Sequence, residues 1–269
     1  MTSFGYAATS YGPIHYAECG AGPPVVLLHQ SPRSWDEYRE ILPLLGARFR
    51  AIAPDTLGFG ASARTDDHRI ETYAAALLEL LDALGLPKVH LVGHHTGGVV
   101  AVEVAAAAPE RIGRLVLSST PLIDAAARER RAARPPVDAV AERADGGHLA
   151  ELWGRRAGFY PQGRPDLLHR FVRDALAVWP GVEHGHAAVS AYVMEDRLPR
   201  ISAPVLCVGS SADPHAFPDL KPLAARLPGA EVAVIDGGMV PLEYKADAFA
   251  ELVLAFLADQ GADQGQETA

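Results

Sequence analysis

The run Lys88-Val89-His90-Leu91-Val92-Gly93-His94-His95-Thr96-Gly97-Gly98-Val99-Val100 constrains this chain more than any other stretch. An apolar segment stops at Gly93, a glycine pair follows at Gly97 and Gly98, and an Ala/Val-rich stretch continues to Ala108. That order predicts a buried strand, a sharp turn and a helix. Glycine at 93 and 97 lets strand and helix close on each other with no side chain between them. His95 stands at the apex, where the backbone is strained and the side chain is thrust out of the turn.

The same alternation runs along most of the chain. A hairpin is expected over residues 4–19, around Tyr11-Gly12-Pro13. Val25 to Leu28 and Phe49 to Ala53 read as buried strands, with helical spacing over Ser34 to Leu45 between them. Thr72 to Leu84 reads as an amphipathic helix closed by Gly85 and Pro87, and Leu115 to Leu117 as another strand. Short apolar strands alternating with helices imply a mostly parallel, doubly wound α/β sheet covered on both faces. Residues 121–200 break the rhythm: they read as helices only, near Ala125–Ala133, Leu149–Phe159, Pro165–Trp179 and Glu183–Met194. The alternation resumes with Val205–Val208, Leu220–Leu227, Glu231–Ile235 and Ala246–Ala258. The expected organisation is a core from residues 1–120 and 201–260, an inserted helical cap at 121–200, and a polar, disordered tail at 261–269.

Composition limits the function classes. The 269 residues are 49% apolar, enough for a sizeable core, and carry a formal charge of −9 with no long basic run. This argues against a nucleic acid or an anionic membrane as partner. Two cysteines far apart, Cys19 and Cys207, make no disulfide framework and fit a cytoplasmic setting. There is no signal-peptide pattern at the start, and no run reaches the roughly 18 apolar residues of a membrane span. The Arg128–Arg134 cluster is expected to be a solvated helix face, and Arg33 a surface residue.

Five stretches in order resemble the α/β-hydrolase superfamily. Pro24-Val25-Val26-Leu27-Leu28-His29 is similar to its strand before the oxyanion loop, and Asp55-Thr56-Leu57-Gly58-Phe59-Gly60 to its Asp-x-x-Gly-x-Gly segment. The run through His95 resembles its nucleophile elbow, G-x-S-x-G. Pro204 to Asp213-Pro214 resembles the loop of its catalytic acid, and Gly237-Gly238-Met239-Val240-Pro241-Leu242-Glu243 that of its catalytic histidine. Three positions depart from the pattern: His95 replaces the nucleophile, Met239 replaces the histidine, and Gln30 follows the oxyanion-loop histidine in place of glycine. A Ser-His-Asp acyl-enzyme mechanism lacks two of its parts, since a thioether takes up no proton.

The resemblance implies a site built on His95 and Asp213. Imidazole gives or takes a proton near neutral pH, so His95 is the expected general base or acid, with Asp213 orienting it. The backbone N–H groups of Ser31 and Thr96 are the expected oxyanion hole. The expected substrate-facing set is Gln30, His29, Met239, Trp153 and His184, although His29 also reads as bracing a loop and Trp153 as packing. Asp124 is a weaker second position for the acid. No metal-ligand spacing is present, and His94 and His95 are expected to point apart. The leading function is a cofactor-free enzyme on a small, largely apolar organic substrate, acting by hydrolysis, C–C lysis or isomerisation/cyclisation, in the manner of secondary metabolism. The alternative is a small-molecule binding protein on a degenerate site. A third reading is an esterase using Ser31 or Ser34 as nucleophile. Oligomeric state is left open.

Overall fold

The structure, a computed structural model, describes residues 1–258, so the expected tail at 261–269 lies outside the described residues. The chain begins with β1 (Ser3–Thr9), β2 (Gly12–Cys19) and β3 (Pro24–Leu28), then α1 (Ile41–Leu45), β4 (Arg50–Pro54) and α2 (Ile70–Ala83). β5 (Val89–His94) leads into α3 (Thr96–Ala107), and β6 (Ile112–Ser118) follows. Four helices come next: α4 (Ala125–Ala132), α5 (Gly147–Ala157), α6 (Pro165–Ala177) and α7 (His184–Ala191). The last elements are β7 (Val205–Ser210), α8 (Leu220–Ala224), β8 (Glu231–Ile235), α9 (Pro241–Tyr244) and α10 (Ala246–Ala258). Among the described residues no helix is long and apolar enough to cross a membrane.

The strands form one sheet in the order β1-β2-β4-β3-β5-β6-β7-β8. β1 and β2 pair antiparallel, β2 meets β4 antiparallel, and every later pairing is parallel. Side chains alternate across the sheet, so β3 sends Val26 and Leu28 to the core under α2 and α3. Its Val25 and Leu27 go to the core under α1 and α10. A strand covered on both faces has no polar side, which is why the central strands read as unbroken apolar runs.

Two of the departures from the expected bounds have a clear physical cause. The single helix expected over Ser34–Leu45 is a 3-10 turn, Trp35–Tyr38, followed by the separate α1. Pro43 has no N–H to give a preceding turn, so it is accommodated only within the first turn of a new helix. α7 stops at Ala191 rather than Met194. Tyr192 turns extended there and places its hydroxyl 2.6 Å from the Glu103 carboxylate of α3.

The elbow between β5 and α3 is closely packed. His95 has φ 46° and ψ −112°, a conformation that strains a residue with a Cβ. The His95 amide donates to the Ser118 carbonyl at 3.0 Å, which fixes the apex against β6. A Cβ on Gly97 would lie 2.1 Å from the Leu28 carbonyl oxygen, and one on Gly93 would lie 2.3 Å from that of Gly97.

Arg33 is not on the surface. It is fully buried in the loop after β3, whose Ser31–Pro32 peptide is cis. Its Nε donates to Asp174 of α6 at 2.9 Å and its Nη2 to Glu243 of α9 at 2.9 Å. Burial opposes the charge, but the surrounding carboxylates, Glu243 foremost, outweigh it and raise the guanidinium's affinity for its proton. One side chain therefore pins the loop after β3 to elements more than a hundred residues away.

Two stability outcomes follow from this packing. Gly97→Ala must displace backbone and is expected to cost about 1–3 kcal/mol or more, whereas Gly154→Ala, with nothing within 4 Å of the new Cβ, is expected to gain up to about 1 kcal/mol from helix propensity. Arg33→Met takes the direct partner from the buried Glu243 carboxylate, leaving it only Arg170 at 3.6 Å, with an expected loss of about 3–5 kcal/mol. Urea unfolding midpoints of the three variants check both statements.

Candidate active site

Loops at the carboxyl ends of the parallel strands converge on a cavity of about 810 Å³. Its floor includes His95 and Thr96 of the elbow, Gln30 of the loop after β3, His215 of the turn after β7, and Met239 of the loop before α9. The rest of the lining comes from the helical stretch between β6 and β7, including Val137, Arg156, Phe159, His186 and Val189.

Asp213 lies on the turn after β7, beside the elbow. His95 Nε2 is 3.0 Å from Asp213 Oδ2, a close polar contact whose angles fall short of a well-aligned hydrogen bond. The other carboxylate oxygen, Oδ1, accepts the amides of His215 at 2.9 Å and Ala216 at 3.2 Å. Burial pushes the Asp213 carboxyl up, but the His95 ring and these two amides outweigh it and hold the group well below the usual carboxylate range. Asp213 is therefore an anion at neutral pH. Nδ1 is then the His95 ring nitrogen left for the cavity, which this side chain lines.

His94 does not point clear of His95. It ends β5 rather than starting α3, and the two rings meet edge to face with centroids 4.6 Å apart. His94 Nε2 lies 3.1 Å from the Met239 carbonyl, which can only accept, so Nε2 carries the proton. Nδ1, 3.0 Å from Ser118 Oγ, then accepts from that hydroxyl. Burial foremost pushes the His94 pKa down to about 4, so the ring is neutral and braces the elbow against the Met239 loop.

The remaining residues singled out from the sequence divide. Gln30 lines the cavity, but its side-chain amide donates to Glu37 Oε1 at 2.5 Å. His29 is buried away from the cavity lining: Nδ1 sits 2.8 Å from the Gln30 carbonyl, and Nε2 accepts the Thr56 amide at 2.9 Å. Trp153 packs on the core and against the His169 ring, and does not line the cavity. His184 also turns away, stacked on His68 with ring centroids 3.8 Å apart. Two residues further on, about 200° around the helix, His186 reaches the cavity instead and lies 2.9 Å from Asp138.

Among the described residues, the backbone N–H groups of Ser31 and Thr96 donate to no protein acceptor. The Ser31 side chain is covered by Gly185 of α7, where a Cβ would fall 1.8 Å from its Oγ. Ser34 Oγ donates to Asp174 at 3.1 Å. Asp124 caps α4, accepting the Ala127 amide at 2.9 Å. Arg131 and Arg134 are not part of a wholly solvated face, because both line the cavity. Among the described residues no group of three or more His, Cys, Asp and Glu side chains is arranged to hold a metal ion.

Comparison with known proteins places this fold. The chain is 30% identical over 274 residues to the 2-hydroxy-6-oxo-6-phenylhexa-2,4-dienoate hydrolase of Burkholderia cepacia, covering 91% of each chain. It is 39% identical over 114 residues to haloalkane dehalogenase 2 of Mycobacterium bovis, a match over 42% of this chain and 40% of that protein. Such shorter matches therefore span well under two thirds of the relative. The structure resembles a bromoperoxidase from Bacillus anthracis, with a TM-score of 0.80 and 25% identity over 96% of this chain and all of the other. The sequence profile of the alpha/beta hydrolase fold matches residues 23–246, and the chain belongs to that family.

Proposed function

We propose that the protein is a cofactor-free hydrolase in which His95 is the general base and Asp213 fixes its ring. The observation that carries this reading is the 3.0 Å approach of His95 Nε2 to a buried carboxylate at the floor of a large cavity. The names of its relatives, hydrolases among them, support hydrolysis over lysis or isomerisation.

The steps follow from the donors present. Asp213 stabilises the tautomer with the proton on Nε2, which leaves Nδ1 as a lone-pair acceptor. Nδ1 takes a proton from a water molecule as its oxygen adds to a substrate carbonyl carbon. The carbonyl π electrons move to oxygen, and the resulting anion sits at the free N–H groups of Ser31 and Thr96. Collapse re-forms the carbonyl and expels the leaving group, which takes the proton back from His95. This scheme needs no covalent intermediate. It assigns Met239 to shaping the cavity, as its thioether takes no proton.

Binding without turnover is the competing reading, favoured by Met239 at the position where the family pattern has a base. Steady-state kinetics on a panel of esters, lactones and β-diketones, together with ligand affinities, separate the two. His95→Ala and His95→Gln are each expected to lower kcat by about 10²–10⁴ with little change in affinity. Asp213→Asn is expected to fall similarly, by releasing the wrong tautomer. Wild-type kcat/KM is expected to fall on the acid side by about tenfold per pH unit as one group protonates. That group is not Asp213, whose carboxyl is held well below the usual range. Unchanged turnover in His95→Ala would reject the scheme, and no turnover in the wild type would favour binding.

A further inference from the structure

The wall of the cavity carries a charge pattern that the hydrolase reading leaves unused. Four arginines line it: Arg131, Arg134, Arg155 and Arg156. Two of them are neutralised. Arg156 makes a paired contact with the buried carboxylate of Asp138, and Arg155 lies 2.8 Å from Glu151. Arg131 and Arg134 make no salt bridge or side-chain hydrogen bond among the described residues. Arg131 is half-buried: burial and Arg134 disfavour its charge while the Asp219 carboxylate favours it, and Arg134 is exposed.

Both guanidiniums reach the cavity without a direct salt bridge to hold them in place. The chain has 33 acidic against 24 basic residues, so paired positions were abundant. Both lie at the carboxyl end of α4, where the helix end contributes only about half a negative charge. Glu183 is the one carboxylate among the lining residues, and its Oε1 is turned to the amides of Asp138 and Ala139. The remaining wall combines the apolar Val137, Phe159, Val189 and Met239 with polar side chains such as His186, Ser190 and His215.

We propose that the cavity takes an organic anion, its carboxylate held by Arg131 and Arg134 and its apolar body lying against Phe159, Val189 and Met239. Guanidinium binds carboxylate through two parallel N–H donors, and a partly desolvated site strengthens that pairing. An apolar body with one anionic end matches a largely apolar cavity that is lined by two arginines free of direct salt bridges. The inference takes its site from the hydrolase reading, but the binding step stands apart from turnover.

The test is therefore made on binding, in the full-length His95→Gln protein as well as the wild type. The probes are 4-phenylbutyrate and its uncharged isostere 4-phenylbutanamide, measured by calorimetry. The acid is expected to bind at least about tenfold more tightly than the amide, the size of one charge-assisted contact. That preference is expected to vanish in the Arg131→Gln, Arg134→Gln double variant, to persist in part in Arg131→Lys, and to weaken with added salt. Equal affinities for acid and amide in the wild type would overturn the proposal, as would a preference unchanged in the double variant or no binding of the acid at millimolar concentration. If His95→Gln retains the acid preference while no turnover is found in the wild type, the anion site stands and the hydrolase scheme fails.

Discussion

The site depends on a steric constraint: helix α3 starts so close to the end of β3 that no side chain fits between them. Gly97 faces the carbonyl oxygens of Leu28 and His29, 2.1 and 2.7 Å from where its Cβ would be. Gly93, at the end of β5, lets the strand close on Gly97 and Gly98 at the start of α3. With both positions bare, the chain reverses within a few residues and forces a positive φ on His95. The strain at one residue is balanced by packing across β3, β5 and β6, and its product is a side chain aimed away from the sheet. Every other part of the site is placed relative to that apex. The loop after β3 is pinned by Arg33, the loop before α9 by the His94 ring on the Met239 carbonyl, and the turn after β7 by the amides that hold Asp213.

On the proposed scheme, the family's acid position is retained while its base has moved. In the serine pattern the histidine comes from the last loop and the apex supplies oxygen. Here the imidazole sits on the apex itself and meets the same acidic turn from the other side. The nucleophile then has to be water. The two neighbouring histidines divide the work by environment: His94, fully buried and bonded at both nitrogens, is neutral scaffolding, whereas His95 has one nitrogen at Asp213 and a face on the cavity. Adjacent residues of one type acquire different roles because one belongs to a strand and the other to a turn.

The sheet was legible in the sequence because its signals are local: apolar runs, glycine at the turn, and proline at the breaks. Distant partners were not legible. Arg33 read as a surface residue because arginines usually are, and its carboxylates lie at Asp174 and Glu243, far along the chain. Arg131 and Arg134 read as a solvated cluster because helical phase alone does not reveal a cavity under one face. In α7 the choice between His184 and His186 rested on helix rotation, which fixes their separation but not which one faces inward. Trp153 and His29 failed to reach the cavity for a similar reason, since core contacts and loop amides claimed them. A pairing of His95 with Asp213 was expected only from the resemblance, and no spacing in the chain would have located it.

The central claim is that Asp213 fixes the His95 ring with its proton on Nε2. The most direct measurement is a long-range proton–nitrogen NMR spectrum of histidine-labelled protein, with His95 assigned by comparison with His95→Gln. The account predicts the Nε2–H tautomer for His95 at neutral pH, an unprotonated Nδ1, and loss of that preference in Asp213→Asn. An Nδ1–H tautomer in the wild type, or a spectrum that Asp213→Asn leaves unchanged, would contradict it.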